Sequence, residues 1–203
     1  MKDTFNGWKN IAKLPIQDVA NYILTGKKVE DFRPDDWLFK HIGEKETPLT
    51  VLDFGSGMGR NTYGIALYSP QWNVMGYDND GMIELTKPYC TMKYGVPNIT
   101  TNISFSSDWN VVKEKKFDAI FCCIVLQHIY EDALSDYIDD FKKMTKKLVI
   151  FGRRFNDDMA KRSNWTILEE NGLTPSEFYS GGNKIPYSPN GDIHEHNTAI
   201  YNL

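Results

Sequence analysis

The stretch Val51-Leu52-Asp53-Phe54-Gly55-Ser56-Gly57-Met58-Gly59-Arg60 decides the reading of this chain. An apolar run entering Gly-x-Gly-x-Gly reads as a buried strand that turns tightly into a helix. Glycine reaches positive φ at low cost and leaves main-chain N–H groups open to a ligand. Two features narrow that ligand. A dinucleotide fingerprint would place its third glycine where this chain has Arg60, and no Gly-Lys followed by Ser or Thr occurs. Asp53, just before the glycines, would repel a pyrophosphate and favour a cation.

Working outward, short apolar strands alternate with helices. Strands are expected within residues 49–54, 73–77, 99–105, 117–126, 148–151, 177–180 and 197–203. The clearest helix covers residues 131–147, where Leu134, Tyr137, Ile138 and Phe141 form one stripe. This alternation implies an α/β fold with a mainly parallel sheet and helices on both faces. Ligands of such sheets sit beyond the carboxyl ends of the strands. Ahead of the sheet, residues 1–48 read as a helical cap and residues 49–203 as the ligand-binding domain. One cap helix has Pro15 at its start, Ile16, Val19, Ala20 and Ile23 on one face, and Gly26 at its stop. A second opens at Pro34, with Trp37, Leu38 and Ile42 on one side and Gly43 after them.

Composition bounds the class. The 203 residues carry 23 Lys and Arg against 27 Asp and Glu, a net charge of −4, and 41% are hydrophobic, which supports a well-filled core. The longest apolar run, residues 119–126, is too short to span a membrane, and residues 1–10 lack an export core. No membrane association is expected, and the cytoplasm is the expected location. Three cysteines, two of them adjacent, form neither a disulfide framework nor a Cys-x-x-Cys pair, and no metal centre is expected. The acidic balance disfavours nucleic acid as a partner.

Acidic residues recur at strand ends. Asp78 lies 19 residues beyond Gly59, where a carboxylate can accept both hydroxyls of a ribose, and Asp108 can accept from an adenine amino group beside Trp109. With Asp53 they suit a cationic ligand built from an amino acid, a sulfonium and an adenosine, which describes S-adenosyl-L-methionine. The motifs Asp53-x-Gly55-x-Gly57-x-Gly59, Val74-Met75-Gly76-Tyr77-Asp78, Ser107-Asp108-Trp109 and Phe117-Asp118-Ala119-Ile120-Phe121-Cys122-Cys123, with Val125-Leu126-Gln127-His128 following, resemble those of the class I S-adenosylmethionine-dependent methyltransferases. The resemblance runs from Leu49 to the end of the chain. It implies a three-layer Rossmann-like fold with seven strands, the last reversed. It also implies cofactor contacts from Gly55 and Gly57 along the methionine, with Ser56 between them. Asp53 would lie near the amino end, Asp78 and Asn79 at the ribose, Asp108 and Trp109 around adenine, and Cys123 on the methionine side. Where many small-molecule members carry Leu-Lys-Pro-Gly-Gly, this chain has Met144-Thr145-Lys146-Lys147-Leu148, which leaves the subfamily open.

For such an enzyme the protein chiefly aligns the acceptor and excludes water. His128, after the fourth strand, is the candidate general base, with helix packing as its alternative role. A turn-rich loop over residues 181–192 is expected to close over the acceptor. Arg153, Tyr187, His194 and His196 are candidate acceptor contacts. Arg153 and Arg154 suit a carboxylate or phosphate, while a solvated strand end accounts for them equally. Lys142, Lys143, Lys146 and Lys147 read as a solvated helix end. The leading expectation is methyl transfer to a small molecule. The alternatives are a protein or nucleic-acid acceptor, or a noncatalytic module that binds S-adenosylmethionine.

Overall fold

β1 (Thr50–Phe54) is buried on both sides because Val51, Leu52 and Phe54 send side chains alternately to two packed layers. The computed structural model describes residues 6–23, 28–31, 33–153, 164–186 and 193–203. β1 pairs in parallel with β2 (Asn73–Tyr77) on one side and β4 (Ala119–Cys123) on the other. β3 (Ile103–Ser106) adds beyond β2, and β5 (Lys147–Arg153) beyond β4, both parallel. β7 (Ile193–Asn202) then inserts antiparallel between β5 and β6 (Glu177–Pro186). The order is therefore β3-β2-β1-β4-β5-β7-β6, with β7 alone reversed.

Helices cover both faces. α3 (Arg60–Tyr68) follows the glycine turn, α4 (Asp80–Glu84) and α5 (Thr86–Tyr94) follow β2, α6 (Trp109–Val112) follows β3, and α7 (Glu131–Met144) follows β4. α8 (Asn164–Glu170) lies between β5 and β6. On one face Leu52, Phe54, Ile120, Cys122, Leu148 and Ile150 meet Leu134, Ile138 and Phe141 of α7. On the other, Val51, Phe121, Val149 and Phe151 meet Ile65 and Ala66 of α3. Leu38, Phe39 and Ile42 join this second cluster, so the segment ahead of the sheet is part of the core.

Several boundaries differ from the sequence expectation. The segment after Pro34 is a 3-10 turn, Asp36–His41, and Pro34 itself seats on Gly64 of α3. An additional helix, α1 (Asn6–Ile11), precedes α2 (Ile16–Ile23). The long helix ends at Met144, so Lys146 lies beyond it and Lys147 begins β5. Residues 181–186, expected to be loop, belong to β6. The long ladder with β7 recruits them, and a register shift between Tyr179 and Asn183 absorbs the glycine pair. The rest of that expected loop, residues 187–192, lies outside the described residues, as do Gly26 and Arg154.

Candidate functional site

The glycine turn is held by the end of the neighbouring strand. The N–H groups of Gly55 and Ser56 both donate to the Tyr77 carbonyl, at 2.8 and 2.9 Å. Gly55 has φ 74°, and a Cβ there would stand 2.3 Å from Val125, so neither the backbone nor the space admits a side chain. Gly57 has φ 57°, and a Cβ there would meet nothing within 4 Å, leaving an open volume over the turn. Ser56 is buried in the same turn, and among the described residues no group bonds its hydroxyl.

Two carboxylates lie beneath and beside this turn. Asp53 is 2% exposed and accepts a 2.6 Å hydrogen bond from the Thr62 hydroxyl of α3. Burial pushes its carboxyl up to about 7, and the charges of Asp78 and Asp35 act in the same direction. Asp78 accepts from the Gly57 N–H at 2.8 Å and from both the N–H and side-chain amide of Asn79. Burial raises it to about 6 despite those bonds. Asn79 in turn caps α4, its side chain accepting from the Met82 N–H.

The sequence reading missed a third carboxylate, Asp35, contributed by the chain ahead of the sheet. Its Oδ2 accepts from Arg60 Nη2 at 2.6 Å, Cys123 Sγ at 3.1 Å and Asn61 Nδ2 at 3.3 Å. Burial opposes its ionisation, but the Arg60 charge and the hydrogen bonds from Arg60, Cys123 and Asn61 together outweigh it and hold the carboxyl below its ordinary value. Nothing adjacent in sequence marks it, because its partners are 25 to 88 positions away.

The turn leaving β4 carries the remaining features. Ile124 has φ 59°, a conformation that costs a β-branched residue about 1–3 kcal/mol, so its surroundings must impose it. Its N–H donates to the Phe151 carbonyl at 2.6 Å. His128 closes the short turn Leu126–His128, and its ring meets that of Trp8 from α1 edge to face, with ring centres 5.1 Å apart. Burial, followed by the Asp35 charge, raises the Cys123 thiol well above its ordinary value, which keeps it protonated as a donor.

The other sequence candidates are more dispersed. Asp108 is exposed and accepts from the Asn110 N–H, capping α6. Trp109 packs among Phe54, Tyr77 and Tyr137 and donates its indole N–H to Asp140 at 2.9 Å. His196 is 2% exposed, with its ring stacked on Phe151 at 5.2 Å, so it presents no surface to an acceptor. The side chains of Arg153 and His194, and the whole of Tyr187, lie outside the described residues. Among the described residues no helix is long and apolar enough to cross a membrane.

A strand-turn-helix with open volume over its glycine turn, at the carboxyl edge where the strand order reverses, defines a cofactor-binding Rossmann-like domain. Its orphaned hydroxyl, open turn and two carboxylates satisfied by neutral donors fit a cationic adenosine cofactor without phosphate. Residues 51–147 match the family model described as a methyltransferase domain. Over those residues the chain is a methyltransferase domain with the class I fold, and S-adenosylmethionine is its cofactor.

Solved structures with the same fold include the magnesium protoporphyrin IX methyltransferase of Synechocystis with S-adenosylmethionine bound. That match has 17% identity, 83% of this chain, 77% of that one and a TM-score of 0.62. A TehB-like methyltransferase from Corynebacterium glutamicum matches with 18% identity, 97% of this chain, 94% of that one and a TM-score of 0.58. The mitomycin 7-O-methyltransferase matches with 12% identity, 97% of this chain, 60% of that one and a TM-score of 0.61. No curated protein sequence matches significantly.

Proposed function

We propose that this enzyme methylates a small molecule held between the cofactor crevice and a roof formed by the chain ahead of the sheet. One observation carries the reading: the roof packs onto three elements, the glycine turn, α4 and the turn after β4. Ile11 and Ala12 join a cluster with Met58 of the glycine turn and Met82 of α4. Ala12 also packs at Gly81, where an added Cβ would approach to 2.8 Å, and Trp8 stands against His128. A crevice so covered suits a compact acceptor better than a polymer. Two fold neighbours, the methyltransferases of magnesium protoporphyrin IX and of mitomycin, are in keeping with this class.

S-adenosylmethionine supplies a methyl group made electrophilic by its sulfonium. The residues would divide the remaining work. Asp78 and Asn79 hold the ribose, and Asp108 with Trp109 borders the adenine. Gly55, Ser56, Gly57 and Asp53 bind the methionine part, and Cys123 lines it. The roof excludes water and fixes the approach of the acceptor, which is where most of the rate enhancement arises. His128 would take a proton from the acceptor as it is methylated.

Transfer of labelled methyl in a lysate, sorted into small-molecule, protein and nucleic-acid fractions, tests the acceptor class. Label confined to small molecules is the expected result, and label confined to protein or nucleic acid overturns the proposal. With the acceptor in hand, His128→Ala should lower kcat by about 10²-fold or more and leave cofactor affinity intact. An unchanged kcat would remove His128 as the base.

A further inference from the structure

Residues 33–35 clamp two elements that border the methionine end of the crevice. The Arg33 carbonyl accepts from Arg60 Nη1 at 2.6 Å, and Pro34 rests on Gly64, so both grip the start of α3. The Asp35 N–H donates to Asn61 Oδ1 at 2.9 Å while its carboxylate receives Asn61 Nδ2. The same Oδ2 binds Arg60 and reaches across to Cys123 Sγ, the last residue of β4. One half-buried oxygen therefore joins the helix after the glycine turn to the strand end that precedes Ile124. We infer that Asp35 is a positioning residue for cofactor binding, setting the separation of α3 and the end of β4 from outside the family motifs. It need not touch the cofactor. It makes the pocket depend on the roof being docked, so that roof and pocket assemble together. The inference rests on the cofactor and is independent of the acceptor class.

The test is calorimetric titration with S-adenosylhomocysteine, which needs no acceptor. Asp35→Asn keeps the shape and removes the charge, and it should weaken binding about tenfold, the scale of one charge-assisted hydrogen bond. Cys123→Ala should also weaken binding, while Cys123→Ser, which retains a donor, should bind within about threefold of wild type. The Asp35→Asn, Cys123→Ala pair should be no weaker than the more affected single variant, because both disrupt one link.

A second readout follows the thiol itself. Asp35→Asn should make Cys123 react several-fold faster with a neutral maleimide, with the modified site located by mass spectrometry. A purely structural role would lower the melting temperature without these effects. Wild-type affinity in a folded Asp35→Asn variant, or equal affinities for Cys123→Ser and Cys123→Ala, would overturn the positioning role. If Asp35→Asn does not fold, the two Cys123 variants decide the matter from the other end of the link. Failure of the wild type to bind would instead break the cofactor assignment, a different outcome from tight wild-type binding with indifferent variants.

Discussion

The carboxylates of the crevice floor and the carboxylate of its roof are the same chemical group, yet their acidities are shifted in opposite directions. Asp53 and Asp78 lie beneath the glycine turn and receive hydrogen bonds from a hydroxyl, an amide and backbone N–H groups, all neutral. Burial wins there, and their carboxyls rise to about 7 and about 6. Asp35 is also largely enclosed, but a guanidinium at 2.6 Å keeps it ionised. The difference lies in the partner's charge. The floor retains capacity for an incoming cation, whereas the roof carboxylate already has its countercharge and serves as a fastening.

Arg60→Met would break this contrast most severely. It leaves Asp35 enclosed without its cation, a loss of about 3–5 kcal/mol, and should carry the Asp35 carboxyl upward toward the floor values. Urea unfolding with a parallel pH titration would reveal both, and an unchanged midpoint would mean the ion pair is idle. Next, Asp78→Ala removes the acceptor of the Gly57 N–H and the proposed ribose contacts. S-adenosylmethionine affinity should fall about a hundredfold, the scale of two hydrogen bonds to a charged group. Calorimetry showing an unaltered Kd would remove Asp78 from the cofactor site.

The pH response separates floor from roof by sign. Asp53 and Asp78 have folded values above their ordinary one. Their contribution to stability is complete below about 4 and is lost as pH rises through about 6 and then about 7. The unliganded protein should lose urea resistance across that window, while affinity for cationic S-adenosylmethionine should rise and then level off above about 7. Asp53 faces Thr62, Arg60, Asp78 and Asp35, and Asp78 faces Gly57 and Asn79, so these groups define the response. Asp35 behaves oppositely, because its depressed value makes its contribution vanish only in acid below its ordinary value. A flat affinity profile from pH 5 to 8 would refute the floor assignment. The smallest expected effect is that of Thr62→Val. Loss of one hydroxyl donor should cost about 1 kcal/mol and shift the Asp53 transition further upward, as a carboxyl-resolved NMR titration can check.

The contrast also explains what could be read from the sequence. The central strands are largely apolar, because both faces of a parallel sheet are covered, and the floor residues Asp53 and Asp78 stand at the carboxyl ends of two of them, within the motifs. β3 begins at Ile103 rather than at residue 99, since Ile99 packs instead against the cluster around Tyr89 and Met58. β6 runs through Gly181 and Gly182, which read as a turn until β7 is present to pair with the residues on either side of them. Asp35 and Thr62 were illegible for a related reason. A polar residue near a helix start is ordinary in sequence and acquires meaning only from a partner that the fold brings to it.

β7 comes after every other strand in the chain and yet lies inside the sheet, with Lys147–Arg153 on one side and Glu177–Pro186 on the other. During synthesis the hydrogen-bonding edge of β5 therefore stays open until residues 193–202 emerge. Over that interval it can be capped by a foreign strand. A truncation ahead of residue 193 would remove an interior strand and leave two raw edges where the folded sheet has none.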